Sequence, residues 1–568
     1  MKRIFYAAAL AAFLGIQLCG CSSMFEQAVS SNERADAEDY YELEEGEAAV
    51  FLNNELLETP AVYQDDRIYL SLDQVQQGLD KHFYWDGKSD DFLFTDASGI
   101  RREAVSDEEL ALVKDDQLYL STDCLDQYLD AQISVFHDPG RVFIDTAGSM
   151  QQKASLKSNE KLRIRGGVKS AILADAGKGS QLVILETYEN WAHVRTEDGY
   201  TGYVRLSGID MDKAQEVVVE ASETEVSAAE YQHNTLGEPV CLVWHMLTNY
   251  TANSYFEDLT ARAEGVNVIS PTWYSISSSE GSYTDRSSED YIRQAHEKGM
   301  QVWALVDDFD PEISIEAVLG DDRIRQSLAE NLVWDVSESG ADGINVDFEH
   351  ITDSCGSSYL QFLRELYILC HEKGLILSVD DMNPTYLRSC YNLEEQGKIA
   401  DYVILMQYDE HYNGSEPGSV SSLPYVQKGL EAAAELVPAE KLVSGLPFYT
   451  RIWTETPAEY AEEGAHIFEE GDALYDRYAV SSRAVSMADA AAYTAKAGVT
   501  PVWDQALGQY YAEIPLDFAT ERIWLEDPES LEEKMKAGQS YQIAGYAFWR
   551  IGMETSDIWS LIRKYTGS

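Results

Sequence analysis

The sequence predicts an α/β protein: a (β/α)8 barrel with a small α+β insertion, preceded by an α+β repeat domain and a small all-β module. Three observations predict it. Eight short apolar runs alternate with helical patterns between Val240 and Trp549. A repeat at an offset of 50 residues occupies the N-terminal part. Between the two lies a stretch of period-two apolar alternation broken by Gly and Asp. At about 150 residues per domain, 568 residues accommodate three or four such units.

Charge narrows the partners first. The 42 Lys and Arg against 99 Asp and Glu leave a net charge of −57. So acidic a surface repels phosphate backbones, which excludes nucleic-acid binding by general electrostatics. It also disfavours an anionic membrane surface, unless a covalent group holds the chain there. The histidines do not fall at metal-ligand spacing, so no metal and no cofactor is expected. A monomer is expected.

The elements follow in chain order. Residues 1–20 carry Lys2 and Arg3, then an apolar run from Ile4 to Leu18, too short for a comfortable membrane span and suited to a secretory signal. The run ends in Leu18-Cys19-Gly20-Cys21, which resembles the bacterial lipobox, Leu-x-Gly-Cys. That resemblance implies cleavage before Cys21, lipidation of its thiol, and a protein held on the outer face of the bacterial cell membrane, facing the wall. Residues 21–45 read as an acidic flexible tether. The cysteines left after processing (Cys124, Cys241, Cys355, Cys370 and Cys390) are odd in number and lack a disulfide-framework spacing.

Within residues 46–148, Asp65-Asp66-Arg67-Ile68-Tyr69-Leu70-Ser71 recurs as Asp115-Asp116-Gln117-Leu118-Tyr119-Leu120-Ser121. The same offset maps Phe92-Leu93-Phe94 onto Val142-Phe143-Ile144. Tandem supersecondary units pack to close a common core. The unit resembles the repeat named after the stalk of copper amine oxidases, and implies a spacer or wall-contacting module without copper. Residues 154–208 alternate apolar and polar at Leu162–Arg165, Gln181–Leu185 and Trp191–Val194, as small strands do. The Asp198-Gly199 turn and the Gly202-Tyr203-Val204 strand resemble the end of a bacterial SH3-like barrel, which implies a spacer or a binder of wall peptides. An acidic linker spans 209–235.

Residues 236–567 read as the barrel. Its runs are Val240–Met246, Val266–Trp273, Gln301–Asp308, Gly343–Glu349, Leu375–Met382, Tyr402–Asp409, Leu442–Tyr449 and Ile543–Trp549. Nearly continuous apolar runs suit strands buried on both faces, and eight of them alternating with helices indicate a closed TIM barrel. Residues from about 450 to about 540 separate the last two runs, too many for a bare loop, and are expected to form the insertion. Seven runs end in reactive or aromatic residues: Trp273-Tyr274, Asp307-Asp308, Asp347-x-Glu349, Asp380-Asp381, Tyr408-Asp409, Tyr449 and Trp549. In such barrels the strand C-terminal ends face the active site.

The fourth run decides the chemistry. In Asp342-Gly343-Ile344-Asn345-Val346-Asp347-Phe348-Glu349, alternation puts Asn345, Asp347 and Glu349 on the face that points into the barrel. Like charges this close share protons, so one carboxyl pKa rises, as a general acid near neutral pH requires.

The run resembles the signature of family 18 glycoside hydrolases, Asp-x-x-Asp-x-Asp-x-Glu, with Asn345 where many members have the middle Asp. Met406-Gln407-Tyr408-Asp409-Glu410-His411 resembles the family's sixth-strand Met-x-Tyr-Asp. Gly445-Leu446-Pro447-Phe448-Tyr449-Thr450-Arg451-Ile452-Trp453 resembles the seventh-strand segment of its peptidoglycan-associated branch. The resemblance implies a retaining hydrolase in which the substrate's own acetamido oxygen attacks the anomeric carbon, unlike the two-carboxylate scheme. It implies Glu349 as acid and base, Asp347 as the group that orients the acetamido, and Tyr408 as its hydrogen-bond donor. It further implies support from Asn345 and Asp342, sugar contacts at Met406 and Asp409, and a hydrophobic floor at Trp549. Trp273, Tyr449, Arg451 and Trp453 are expected in the cleft wall. The substrate expected is an N-acetylglucosamine-containing polysaccharide: peptidoglycan first, chitin or N-glycans otherwise. A non-catalytic carbohydrate-binding protein on the same barrel is the rival class.

Overall fold

Runs rich in Val, Ile, Leu and aromatic residues form every strand the sequence predicts for the barrel. The computed structural model describes residues 30–220, 228–469 and 474–567, so the signal-like segment and Cys21 lie outside the described residues. The strands are β1 (Val240–His245), β2 (Val268–Ile276), β3 (Gln301–Asp307), β4 (Gly343–Asp347), β5 (Ile376–Met382), β6 (Tyr402–Met406), β7 (Leu442–Pro447) and β8 (Gly545–Trp549). All pair in parallel with their sequence neighbours, and β1 pairs with both β2 and β8, which closes the barrel. Each is followed by a helix: α1 (Phe256–Thr260), α2 (Glu289–Glu297), α3 (Asp322–Ser339), α4 (Gly356–Lys373), α5 (Leu393–Ile399), α6 (Leu423–Ala434), α7 (Pro528–Ser540) and α8 (Ile558–Thr566).

Alternation sorts the side chains. Leu242, Trp244, Trp303, Leu305, Tyr402 and Ile404 fill the barrel interior. Val243, Ile269, Val302, Ile344, Val346 and Leu377 face the helices in a second core. Gly343 opens β4 because the strand runs tight against β5: a Cβ there would lie 2.7 Å from the Ile376 carbonyl oxygen.

Two compact units divide the chain. One takes the residues up to Leu70 with Leu125–Glu225; the other takes Ser71–Cys124 with the chain from Val226 onward. The boundaries run through the expected repeat module, 46–148, and divide it. Locally the repeat is real. The turns Asp65-Asp66 (φ 51° and 61°) and Asp115-Asp116 (φ 52° and 59°) both take two left-handed residues. That conformation matches the twist of a two-residue hairpin, and Asp tolerates it. Each hairpin leads into a helix, Leu72–Gly78 or Thr122–Tyr128. In the first unit, seven strands between Met150 and Val218 pair antiparallel around Leu162, Leu182, Val194 and Val204. Its Asp198-Gly199 turn requires the glycine: φ is +71°, and a Cβ would meet the Phe136 ring at 2.3 Å.

In the second unit, a small sheet (Phe83–Tyr84, Asp91–Asp96, Gly99–Ala104) packs on the outside of α3 and α4 through polar contacts. The Tyr84 and Ser358 hydroxyls are 2.9 Å apart, and Gln361 Nε2 donates to Thr95 Oγ1 at 2.9 Å. Fully buried Arg325 joins the layers. Its Nη1 donates to the Tyr84 hydroxyl (3.0 Å), Nη2 to Asp322 (2.7 Å), and Nε and Nη2 to Glu365 (3.0–3.2 Å). Arg325→Met leaves Glu365 buried without its counter-charge, an expected loss of about 3 to 5 kcal/mol. Chemical denaturation checks it; an unchanged midpoint would show that the pair contributes no net stability.

The insertion lies between β7 and α7. Six antiparallel strands spanning Tyr449 to Leu525 pack with the helix Met487–Ala497 around Ile452, Val485, Ala490 and Ile523. It ends earlier than the sequence suggests, because Pro528–Ser540 is the barrel helix α7, packed between α6 and α8.

Candidate active site

β4 brings Asn345 and Asp347 into the barrel. Asn345 is fully buried and organises the site's base. Its Nδ2 donates to Asp380 Oδ1 on β5 (2.8 Å), and its Oδ1 accepts from Trp244 Nε1 (3.1 Å) and Ser270 Oγ (2.8 Å). Trp244 Nε1 also reaches Asp380 Oδ2 at 3.1 Å. The amide thus ties β4 to β1, β2 and β5 without adding a further carboxylate to the cluster.

Asp347 follows, buried and aligned with Asp307 in the parallel register. Its Oδ1 has no hydrogen-bond partner among the described residues, an uncommon state for a buried oxygen. Burial pushes its pKa far up, and Asp380, Glu349, Asp307 and Asp308 push the same way. Asp380 is raised by burial against the bonds from Asn345 and Trp244. Asp307 is raised by burial, although Ser275 Oγ donates to it at 2.9 Å.

Glu349 stands two residues beyond Asp347, outside the ladder. Burial raises its carboxyl to about 7; Asp308, Asp409 and Asp307 add to the rise, and His350 opposes it. Tyr408, on the chain leaving β6, is held protonated by burial beside Asp347 and Asp380, so its hydroxyl is a donor. The rings of Tyr408 and Trp549 approach Trp244, with centroids 6.4 and 6.0 Å away. Trp549 is partly exposed at the end of β8, an aromatic surface at the barrel mouth. Tyr449 lies 6.2 Å from Tyr408 and donates to exposed Asp409 at 2.5 Å. Met406 shares the inward face of β6 with Tyr402 and Ile404 and is buried. Arg451 is partly exposed on the first insertion strand and donates to Ser482 Oγ at 3.0 Å.

Asp342, expected to support Asp347, and Trp273 and Trp453, expected in the cleft wall, lie elsewhere. Asp342 precedes β4, at the opposite end from Asp347, where Oδ2 accepts the Val302 N–H (2.8 Å) and contacts His296 Nε2 (2.8 Å). Trp273 is fully buried on the helix side of β2, with Nε1 donating to Asn253 Oδ1 at 2.9 Å. Trp453 is fully buried, its Nε1 on the Gly418 carbonyl at 2.8 Å. Conversely, Trp244, Ser270 and Tyr391 were not singled out by the sequence, and Asp308 and Asp380 only as strand endings. Trp244 has a signal: an aromatic residue near the C-terminal end of the first apolar run, Val240–Met246.

The chemistry available is a carboxylic acid poised near neutral pH beside a carboxyl with an unsatisfied oxygen, a phenol donor and an aromatic floor. Comparison with known proteins bears on the barrel. The pattern for glycosyl hydrolases family 18 matches residues 274–554. The chain is 25% identical over 252 residues to the cortical fragment-lytic enzyme of Bacillus subtilis, covering 43% of this chain and 54% of that protein. It is 27% identical over 267 residues to endochitinase 1 of Metarhizium anisopliae, covering 42% and 58%. The chain therefore spans little more than half the length of these relatives. The crystal structure of the Bacillus cereus spore cortex-lytic enzyme SleL shares the fold, with TM-score 0.50 at 18% identity over 62% of this chain and 78% of that one. The barrel, over residues 274–554, is a glycoside hydrolase domain of family 18.

Proposed function

We propose that the enzyme cleaves β-1,4 linkages after N-acetylglucosamine, with peptidoglycan as its substrate, by substrate-assisted catalysis with net retention. The observation that carries this is the Asp347–Glu349 pair: an acid raised to about 7 beside a buried carboxyl whose Oδ1 lacks a partner among the described residues. Glu349 protonates the departing oxygen, the acetamido oxygen closes on the anomeric carbon, and Glu349 then takes a proton from the incoming water. Asp347 Oδ1 accepts the acetamido N–H and balances the charge that develops there. Tyr408 donates to the acetamido oxygen, Trp549 lies under the sugar ring, and Asp409, Tyr449 and Arg451 line the mouth. The cortex-lytic relatives favour a wall polymer; the fungal endochitinase keeps chitin as the second reading.

Purified peptidoglycan is the test. The soluble protein lacking residues 1–21 should release fragments with reducing N-acetylglucosamine ends, read by mass spectrometry, and Glu349→Gln should not. Cleavage of chitin oligomers alone would overturn the wall assignment. Binding without turnover of any N-acetylated glycan would favour a lectin.

Location belongs to the same reading: Cys21 carries the lipid, and the N-terminal stalk-like repeat and SH3-like module hold the barrel at the wall. Two or three acyl chains anchor a protein stably. Cys21→Ser in the full chain should move the protein from the membrane fraction to the medium or the soluble fraction; an unchanged distribution would remove the anchor.

A further inference from the structure

We infer that Asp308 is the positioning residue for Glu349, acting through the backbone of the acid rather than on substrate. The inference rests on reading Glu349 as the acid. β4 ends at Asp347, so no strand hydrogen bond fixes the peptide of Glu349. Asp308, just past β3 and buried, supplies what the ladder does not. Its Oδ1 accepts the Glu349 N–H at 2.9 Å, and its Oδ2 accepts the His350 N–H at 3.0 Å. His350 Nδ1 lies 3.1 Å from Oδ1. Two successive backbone N–H groups on one carboxylate form an anion nest, turned here to hold the chain rather than a ligand.

Tyr391 braces the same segment from the other side. Its hydroxyl donates to the Phe348 carbonyl (2.9 Å) and accepts the Ile351 N–H (3.3 Å). The peptides on both sides of Glu349 are therefore tied down, and only its side-chain torsions stay free. This placement matters because a small displacement of an acid from the leaving oxygen costs much of its effect.

The same joint adjusts the acid's charge balance. Asp308 is the charged neighbour that raises the Glu349 carboxyl most, and His350 is the one that opposes it. The titratable groups around Glu349 are Asp307 and Asp308 after β3, Asp347 and His350 on the β4 segment, Asp380 on β5, Tyr391 before α5, and Tyr408 and Asp409 after β6. The Asp308 carboxylate holds both the Glu349 N–H and His350, and the two side chains act on the acid with opposite sign. Their replacements should therefore move the acid in opposite directions.

Asp308→Asn and His350→Gln test this in the full chain. The Asn amide accepts only through Oδ1 and turns an N–H toward one of the two backbone donors. The expected result is a kcat about 100-fold lower with little change in KM, and a basic limb of the pH profile moved to lower pH. His350→Gln should move that limb to higher pH. NMR of the Glu349 and His350 amide protons gives a readout independent of turnover: both should lie downfield in the wild type and move upfield in Asp308→Asn. Unmoved amide shifts, or a basic limb that stays in place in a folded Asp308→Asn protein, would overturn the positioning role. A wild type that cleaves no N-acetylated glycan while the amides shift as expected would overturn only the proposed function.

Discussion

Glu349→Gln is expected to lower kcat on an N-acetylglucosamine polymer by about 100- to 10,000-fold, with KM nearly unchanged. Gln keeps the volume and much of the hydrogen bonding but cannot give a proton to the departing oxygen. The pH dependence follows from the sign of the shift. The acid must carry its proton, and burial with Asp308, Asp409 and Asp307 raises it to about 7. Wild-type kcat/KM should therefore hold steady on the acid side and fall about tenfold per pH unit above the acid's pKa. That basic limb should be absent in the variant. A nitrophenyl glycoside supplies a second readout. Its leaving group departs as an anion and needs little acid help, so the loss should shrink on it. Equal losses on both substrates, or a basic limb that survives in Glu349→Gln, would show that Glu349 is not the acid.

The barrel was legible because its strands are buried on both faces, which forces continuous apolar runs; each strand falls within about three residues of its expected bounds. β5, expected over Leu375–Met382, is Ile376–Met382. Asp347 and Tyr408 were legible for a related reason: a charge or phenol at the end of such a run has no structural purpose that a hydrophobe would not serve better. Alternation alone failed at Trp273. β2 changes register between Thr272 and Tyr274, and the indole turns to the helix layer, against Tyr291. Asp342 holds the neighbouring strand through the Val302 N–H rather than Asp347 itself, because a strand motif names residues without saying which lie at which end; five positions before Asp347, it belongs to the far rim. The hold of Asp308 on Glu349 joins side chain to backbone across two strands, a contact that no spacing in one dimension encodes. The divided repeat module has the same origin. Its two hairpins are local and readable, whereas the seating of Tyr84 on Arg325 depends on α3, far along the chain.

Asp347→Asn is the second large effect, and it should separate catalysis from stability. The variant keeps shape but cannot ionise to oppose the positive charge that develops on the acetamido group. The expected fall in kcat is about 100- to 1,000-fold, the range found when one preorganised electrostatic partner of a transition state is removed. A cyclic thiazoline that mimics the ring-closed intermediate should bind the variant less tightly by a similar factor, while the product sugar loses little. Stability should move the other way. The folded pKa of Asp347 lies well above its unfolded value, because burial and four neighbouring carboxyls oppose its charge. Between those two values the folded state binds more protons than the unfolded one, so stability falls as pH rises through that window. Asn carries no proton to lose. The variant should therefore melt higher than wild type at neutral and mildly alkaline pH, with the difference closing toward acid pH. A lower melting temperature across the whole range would mean that the carboxylate stabilises the fold. Thiazoline affinity equal to that of wild type would remove Asp347 from the acetamido site. The expected pair of results, a more stable protein and a slower enzyme, follows from one fact: the oxygen left without a partner among the described residues is the one the substrate is expected to meet.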